Sequence, residues 1–277
     1  MPKFDSLGDR IKFYERQPVG EYLTPLLPVI IRLDGNNFHN FTKGLDKPFS
    51  LGLIDLMIET TKYLVEETNA LIGYTQSDEI TLLLYTSSWK TQLYFDGKPQ
   101  KINSILAGKC SNFFTKNISK YLYIKTGEIA NFDCRCFIVP TKDEAINVFV
   151  WREEDAVRNS IQMVGQANFS HKQLQNKSCD NIQEMLWKEK QINFNDFASN
   201  FKRGTYIQKR AENKPFTTEE IDKLPPEHNA RKNPNLVFTR NTLIKLVMPP
   251  ITKVLNKEMV FFYGENPLEQ SCLLEKN

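Results

Sequence analysis

The chain lacks several features that would assign it to a special class of protein. Its 277 residues include only five cysteines, an odd number without the spacing of a disulfide framework. No stretch approaches the roughly 18 consecutive apolar residues that a membrane-spanning helix needs. The first residues also lack the apolar run of a secretory signal peptide. We therefore expect a soluble, cytoplasmic protein with no membrane association.

Excess charge of one sign is also scarce, because 36 lysines and arginines nearly balance 33 aspartates and glutamates. The net charge of +3 and the pI near 8.4 permit a polyanionic partner but fall short of a dedicated nucleic-acid coat. The 40% of hydrophobic residues is typical of a globular protein with a core. Any argument for RNA binding therefore depends on local clusters.

The first part of the chain predicts a strand followed by a helix. Residues 29–33 predict a buried strand, which the turn residues Asp34 and Gly35 end. A carboxylate is therefore expected at the end of a strand. Apolar residues with helical spacing then predict a helix that Ser50 caps and that runs to about Asn69.

The next elements complete a recognisable order. Two β-prone runs, 72–75 and 80–85, predict a hairpin with acids at its tip. A helix over about 101–123 and a strand over 132–139 follow. The order strand, helix, strand, strand, helix, strand predicts the α+β class. It is typical of a ferredoxin-like polymerase palm, in which two helices cover one face of an antiparallel sheet.

The rest of the chain predicts a mainly helical extension. We expect a palm-type catalytic core in residues 1–140, with residues 141–277 packed on it as part of one integrated domain. Residues 211–235 predict an exposed polar excursion. The helical region to about residue 190 offers several large side chains for packing, namely Trp151, Ile161, Met163, Met185, Leu186 and Trp187.

The predicted topology brings together two carboxylates, Asp34 at the end of the first strand and Asp78 in the hairpin. Mg²⁺ prefers hard oxygen ligands, and two-metal phosphoryl transfer needs them clustered at one point. Gly35 has no Cβ at the position where a backbone carbonyl would approach an ion, and Glu79 is an outer ligand or a structural acid. Taken alone, an Asp-Gly pair after a strand is more often a simple turn.

Two motifs around these acids resemble those of a known family. Residues 32–39 (RLDGNNFH) are similar to RLDGRxFH, and residues 74–79 (YTQSDE) are similar to YGQSDE, both of the tRNA(His) guanylyltransferase family. The resemblance covers roughly Phe4 to Arg210. Further matches occur in the same order, at Lys47-Pro48, Phe132-Asp133-Cys134-Arg135, Trp151-Arg152 with Asp155, Ile192-Asn193-Phe194-Asn195, and Lys202-Arg203-Gly204-Thr205.

The resemblance implies a nucleotidyltransferase with a polymerase-like palm, two Mg²⁺ ions, and 3′–5′ synthesis on tRNA after ATP-dependent adenylylation of the 5′ end. It implies that Asp34, Gly35 and Asp78 hold the metals and that Glu79 supports them as part of the catalytic set. It also implies a group of residues around the bound ATP, GTP or other nucleoside triphosphate, namely Arg32, Asn36, Asn37, Phe38, His39, Lys47, Ser77 and Lys101.

A tRNA partner and a homotetramer are also implied by the resemblance. A basic and polar set is a candidate for contacts with the tRNA phosphates, although each member taken singly is more often a solvated surface group. The set comprises Arg135, Arg152, Arg158, Asn159, Lys202, Arg203, Lys209 and Arg210.

Three positions depart from the family pattern. Members that are restricted to histidine tRNA carry His-Ile-Asn-Asn where this chain has Val157-Arg158-Asn159-Ser160, which favours template-directed repair of tRNA 5′ ends over addition of a single G. Cys134 replaces the glycine of FDGR, so we expect the strand to continue there. Ser104 occupies the place of a family lysine near the triphosphate.

Other interpretations remain open at this stage. Related palm folds include nucleotide cyclases and dinucleotide synthases that use the same pair of acids, because fold does not imply function. A catalytically silent RNA-binding protein is a second alternative, against which the full set of acids argues. Cys134 and Cys136 share one face of a strand without a second cysteine pair, which favours buried thiols over a zinc site.

Overall fold

The computed structural model describes residues 6–16, 20–233 and 235–270; Phe4 and the ends of the ranges 1–140 and 141–277 therefore lie outside the described residues. The strands are β1 Val29–Asn36, β2 Ile72–Gln76, β3 Glu79–Leu84, β4 Asn131–Ile138, β5 Thr205–Pro215 and β6 Val237–Leu246. The α-helices are α1 Leu7–Arg16, α2 Phe38–Phe41, α3 Leu51–Thr68, α4 Pro99–Tyr121, α5 Lys142–Asn168, α6 His171–Leu174, α7 Cys179–Lys190, α8 Ser199–Arg203, α9 Thr218–Lys223, α10 Asn229–Lys232 and α11 Lys257–Tyr263. Short 3₁₀ turns lie at Tyr94–Gly97, Tyr123–Lys125, Phe194–Asp196 and Ile251–Lys253.

The strands form one sheet with the order β4-β1-β3-β2-β5-β6. Its first four strands have the order 4-1-3-2 and pair antiparallel, so the predicted ferredoxin-like palm is confirmed. The sequence analysis missed β5 and β6, which extend the palm at the free edge of β2. The sheet therefore continues into the segment expected to be an extension.

The predicted helix after residue 50 is confirmed with its caps. The Ser50 side chain accepts a hydrogen bond from the Leu53 amide, and Asn69 ends the helix in the left-handed conformation with φ of 56°. The second palm helix begins two residues earlier than expected, at Pro99, because proline suits a first turn where its missing N–H is not needed.

The predicted turn at Asp34 and Gly35 is wrong. Strand β1 continues through both residues to Asn36, because β4 pairs with it as far as Asn36 opposite Asn131. The chain bends one residue later, at Asn37, whose φ is 59°. The continuation of the strand through Cys134 is confirmed.

Alternation along β1 separates the two faces of the sheet. Ile31 and Leu33 pack in a core formed with α3 and α4, which cover one face as predicted. Ile30 packs on the opposite face in a second core with Phe149 of α5 and Phe261 of α11. Since side chains alternate along a strand, Arg32 and Asp34 lie on the α5 face of the sheet.

The polar excursion expected over 211–235 is built differently. Strand β5 continues to Pro215 and pairs with β6 up to that residue, so residues 211–215 belong to a long hairpin, and the connection between the two strands carries the short helices α9 and α10. Among the described residues, no helix has both the length and the apolar character needed to cross a bilayer.

Candidate active site

The two predicted carboxylates meet at one end of the palm. Asp34 pairs with Glu79 in the sheet, and the Gly35 amide donates a hydrogen bond to the Asp78 carbonyl over 3.1 Å. Ser77, with a φ of 53°, turns the chain between β2 and β3. Asp34 and Asp78 line the same cleft of about 440 Å³, which we call the acidic cleft.

The two acids repel each other. Burial and the nearby charge of Asp34 raise the pKa of Asp78 above its usual value. The Ser77 hydroxyl opposes that shift by donating a hydrogen bond to Asp78 Oδ1 over 3.0 Å. A bound divalent cation would relieve this repulsion.

The donor set at this point fits Mg²⁺. A Cβ built on Gly35 would lie 2.8 Å from Asp78 Oδ2 and 2.4 Å from the Phe38 ring, so only glycine lets the carboxylate and the ring approach the backbone this closely. The available donors are carboxylate and carbonyl oxygens, which hard cations prefer. Within the described residues, no group of three or more His, Cys, Asp or Glu side chains could hold a metal ion, so Glu79 does not complete the ligand set.

Glu79 is instead a buried acid held by two arginines. Its Oε2 accepts hydrogen bonds from Arg32 Nη2 over 2.9 Å and from Arg152 Nη2 over 2.7 Å. Burial raises the pKa of Glu79, and the charges of Arg152 and Arg32 oppose that rise. The Trp151 ring lies 5.6 Å from Arg32 Cζ and 4.6 Å from Arg152 Cζ. Glu79 therefore stabilises the end of β3 beside the cleft.

These contacts correct the expectations for both arginines. Arg32 also bonds Glu15 of α1 over 2.9 Å, and Arg152 bonds Asp155 over 3.0 Å. Their side chains are only 12% and 6% exposed. Both guanidinium groups lie in the wall of the acidic cleft but are held there by buried carboxylates, which leaves Arg32 fewer N–H groups for a triphosphate and Arg152 fewer for RNA.

The other predicted nucleotide contacts are distributed unevenly. Lys47 and Ser77 line a second cleft of about 240 Å³, the lysine cleft, which adjoins the acidic cleft through Ser77. Asn36, the last residue of β1, and Asn37 and His39 after it are exposed but line neither cleft. Asn37 Oδ1 already accepts from Asn40 Nδ2 over 2.6 Å.

Phe38 is buried, and Lys101 lies outside both clefts. Phe38 is 3% exposed and packs with Phe41, Phe114 and Phe132, so its ring cannot stack on a nucleotide base. Lys101 lies in the first turn of α4, where its Nζ stands 4.9 Å from the centre of the Phe95 ring, and it lines neither cleft.

The candidate RNA contacts divide by position. Asn159 lines the acidic cleft, and Arg158, one residue before it, has a 61% exposed side chain paired with Asp155. Lys202 and Arg203 of α8 dock near them, since the Lys202 carbonyl accepts from Ser160 of α5.

Three candidates lie elsewhere. Arg135, on edge strand β4, pairs in register with Arg32 and bonds Asp133 over 3.2 Å. Lys209 and Arg210 follow the residues of β5 that pair with β2, at the end of β2 away from Ser77. At about 3.3 Å per residue, Lys209 is roughly 13 Å along β5 from its first residue. The set therefore does not form one surface.

The sequence analysis named Arg152, Arg158 and Asn159 of helix α5 but missed three further residues of that helix. Gln162, Met163 and Gln166 line the acidic cleft, with Asn159 one turn and Asp155 two turns before Gln162. The polar residues at positions 155, 159, 162 and 166 have helical spacing, which could have indicated a polar face. Of the side chains expected to pack in this region, Ile161 and Leu186 are buried. Met163 and Trp187 are not, since they are 36% and 56% exposed.

Comparisons with known proteins agree with this architecture. Residues 8–140 match the family described as tRNAHis guanylyltransferase. A bacterial tRNA(His) guanylyltransferase-like protein solved in complex with ATP is 41% identical, covers 74% of this chain and is itself covered to 87%, with a TM-score of 0.65. A bacterial tRNA(His) guanylyltransferase-like protein solved in complex with GTP is 32% identical. The match covers 89% of this chain and 94% of that protein, with a TM-score of 0.63.

A curated relative is an uncharacterized protein of Acanthamoeba polyphaga mimivirus, 31% identical over 57% of this chain; the chain spans only 61% of that protein's length. The palm fold, its acidic cleft and these relatives together place the chain among the nucleotidyltransferases. More narrowly, the chain belongs to the tRNA(His) guanylyltransferase family.

Proposed function

We propose that this protein is a metal-dependent 3′–5′ nucleotidyltransferase that repairs the 5′ end of tRNA in a template-dependent manner. The observation that carries the proposal is the meeting of Asp34 and Asp78 in one cleft, with the Asp78 carboxylate packed closely against the backbone of Gly35. The ATP and GTP bound by the two bacterial relatives support nucleoside triphosphates as substrates.

The reaction takes place in two displacements. An oxygen of the RNA 5′-monophosphate attacks the α-phosphorus of ATP, and the bond to pyrophosphate breaks. The 3′-hydroxyl of the incoming nucleotide then attacks the activated 5′-phosphorus, loses its proton, and displaces AMP. Mg²⁺, when bound, neutralises phosphate charge and lowers the pKa of the attacking oxygen.

The chain's own residues supply binding and orientation. Asp34, Asp78 and the Gly35 carbonyl would hold two Mg²⁺ ions. Lys47 stabilises the negative charge of the triphosphate from the lysine cleft, which adjoins the acidic cleft at Ser77. Glu79 fixes the end of β3 through its arginines, so that Asp78 keeps its position.

Repair is favoured over addition of a single G by the residues at the acidic cleft. Positions 157–160 lack the histidine of the family members restricted to histidine tRNA, and Asn159 faces the cleft in that segment. The partners included in the proposal are tRNA, ATP, GTP and other nucleoside triphosphates. A homotetramer with tRNA across subunits, as the family resemblance implies, is part of the same proposal.

The test uses 5′-monophosphorylated tRNAs, full length and lacking the first nucleotide, with ATP, Mg²⁺ and each nucleoside triphosphate. We expect restoration of the base-paired end on truncated tRNAs of several species. An additional G on histidine tRNA alone would instead identify a tRNA(His)-specific enzyme. A small cyclic product without RNA extension would refute nucleotide addition to RNA.

A further inference from the structure

Three depressions of the surface meet at one side chain of α5. Gln166 lies in the wall of the acidic cleft, of the lysine cleft, and of a third depression of about 480 Å³ between α5, α6 and α7. Gln162 lies between the acidic cleft and the third depression, and Met163 lies between the acidic and lysine clefts. One face of α5 therefore overlooks all three spaces.

The two glutamine amides have no partner within the described part of the chain. Both side chains are exposed and neither bonds another described residue, whereas neighbouring Asn159 donates to Asp155 over 3.3 Å. A glutamine amide offers two N–H donors and a carbonyl acceptor on a flexible stem. Such groups suit a ligand whose edge presents both donors and acceptors.

Met163 adds an apolar surface between these amides. It is 36% exposed, and on a helix Gln162 and Gln166 lie one turn apart on the same side. A thioether is polarizable and packs favourably against an aromatic ring. The combination of a soft apolar contact and two free amides matches the face and the edge of a nucleobase.

The positive charges around the clefts indicate that the phosphates of a nucleotide bind away from the two glutamines. Of the basic residues in this part of α5, Arg152 is buried against Glu79, and Arg158 is an exposed side chain that pairs with Asp155. Lys47, on the palm side, is available at the lysine cleft. A nucleotide with its phosphates near the acids and Lys47 would therefore have its base left for the α5 wall.

We propose that Gln162, Met163 and Gln166 form a nucleobase-binding surface that accepts any base. An amide can turn to present either its donor or its acceptor, so it can bond to bases of opposite hydrogen-bond pattern. Stacking is likewise tolerant of base identity. The inference rests on the proposed function and deepens it, because an enzyme that copies a template must hold every base equally.

The test compares the chain with the variant Gln162→Leu/Gln166→Leu and with Met163→Ala. Binding of ATP, GTP, CTP and UTP is measured by titration with Mg²⁺, and KM and kcat are measured on truncated tRNA. We expect Kd and KM to rise roughly 5-fold for each lost hydrogen bond, for all four nucleotides and with little change in kcat. Met163→Leu should restore most of the affinity lost in Met163→Ala.

Two controls separate base contact from general damage. Gln183→Leu makes the same substitution on α7, outside all three depressions, and should bind as the parent does. Ribose 5-triphosphate, which has no base, should bind the parent and the double variant equally. Equal weakening of this probe would mean that the glutamines contact ribose or phosphate and would overturn the proposal.

A further arm identifies the source of the base. If nucleotide binding is unchanged but truncated tRNA binds the double variant more weakly, the base contacted is the terminal one of the RNA, and the nucleobase surface stands. If neither changes, the surface is refuted. A parent protein that extends no RNA would refute the proposed function alone, because nucleotide titration still tests the surface.

Discussion

At the acidic cleft, the residues that suit metal binding also destabilise the fold when no ion is bound. Asp78 is half-buried next to the charge of Asp34, which raises its pKa and destabilises the folded chain when both acids are ionised. Gly35 lacks the Cβ that would collide with the Asp78 carboxylate. Such a site is costly without its ligand and is stabilised when a divalent cation binds.

Replacing Asp78 should separate these two effects. A folded-state pKa above the unfolded value means that stability is lost as pH rises from about the usual value of aspartate. In EDTA, Asp78→Asn should therefore be more stable than the parent at pH 7, with a smaller difference at pH 4. Its Tm should not rise with Mg²⁺, and its nucleotide addition should fall on the order of 10²-fold or more. Scanning calorimetry at both pH values measures this; a variant less stable than its parent at pH 7 would contradict it.

Replacing Glu79 should have the opposite effect on stability. Its side chain is 9% exposed between Arg32 and Arg152, so Glu79→Gln leaves two buried guanidinium groups short of a countercharge. We expect a loss of about 3–5 kcal/mol in the free energy of unfolding.

Urea denaturation measures the loss, and Glu184→Gln is the matched control. Glu184 is 58% exposed and pairs with an exposed lysine, so its replacement should leave the free energy of unfolding nearly unchanged. Equal effects of the two substitutions would contradict the assignment of Glu79 as a buried structural acid.

At the scale of elements, helix α5 connects the cleft to the added strands. Glu153 of α5 is buried and accepts hydrogen bonds from the Tyr206 hydroxyl of β5 and from the Ile251 amide, each over 2.8 Å. The same helix presents Asn159 and Gln166 to the acidic cleft. The position of the α5 wall therefore depends on the contacts of this helix with β5 and with the turn at Ile251.

Tyr206→Phe tests this connection. It leaves one lone pair of a buried carboxylate unsatisfied, which should lower the free energy of unfolding by about 1–3 kcal/mol. Because the helix loses its hold on β5, KM for nucleotides should also rise while Lys47 and the acids remain in place. Chemical denaturation and steady-state kinetics measure both; unchanged stability would mean that Glu153 does not anchor α5.

Elements differ in how far the sequence determines them. The strand and helix of the palm were predictable because Ser50, Asn69 and the apolar spacing all favour the same structure. Strand β5 was not, because residues 209–214 are polar on both faces apart from Ala211 and form a strand only through pairing with β6. The ion pair between Arg152 and Glu79 could not be predicted either, because the two residues are 73 positions apart in the sequence.

At the scale of the whole molecule, the palm places its acids and its α5 wall at one end of the sheet. Strands β5 and β6 extend the sheet from the opposite edge to β4, and their basic residues Lys209 and Arg210 lie away from the cleft. An RNA end that reaches Asp34 and Asp78 should therefore run across α5 and α8 rather than along the exposed hairpin.

Salt-dependent binding tests this path. Neutralising a phosphate contact lowers the slope of log K against log salt by about 1. We expect that loss for Arg158→Ala, whose side chain is 61% exposed beside the cleft, and no change for Lys209→Ala, whose Nζ bonds Asn69 over 2.6 Å. The reverse order of effects would place the RNA along β5 and β6.

The most direct test of the central claim is anomalous diffraction from crystals grown with Mn²⁺ and a non-hydrolysable ATP analogue. The account predicts manganese bound by carboxylate oxygens of both Asp34 and Asp78, next to the triphosphate. Manganese bound elsewhere, or the two carboxylates directed to separate surfaces, would contradict it.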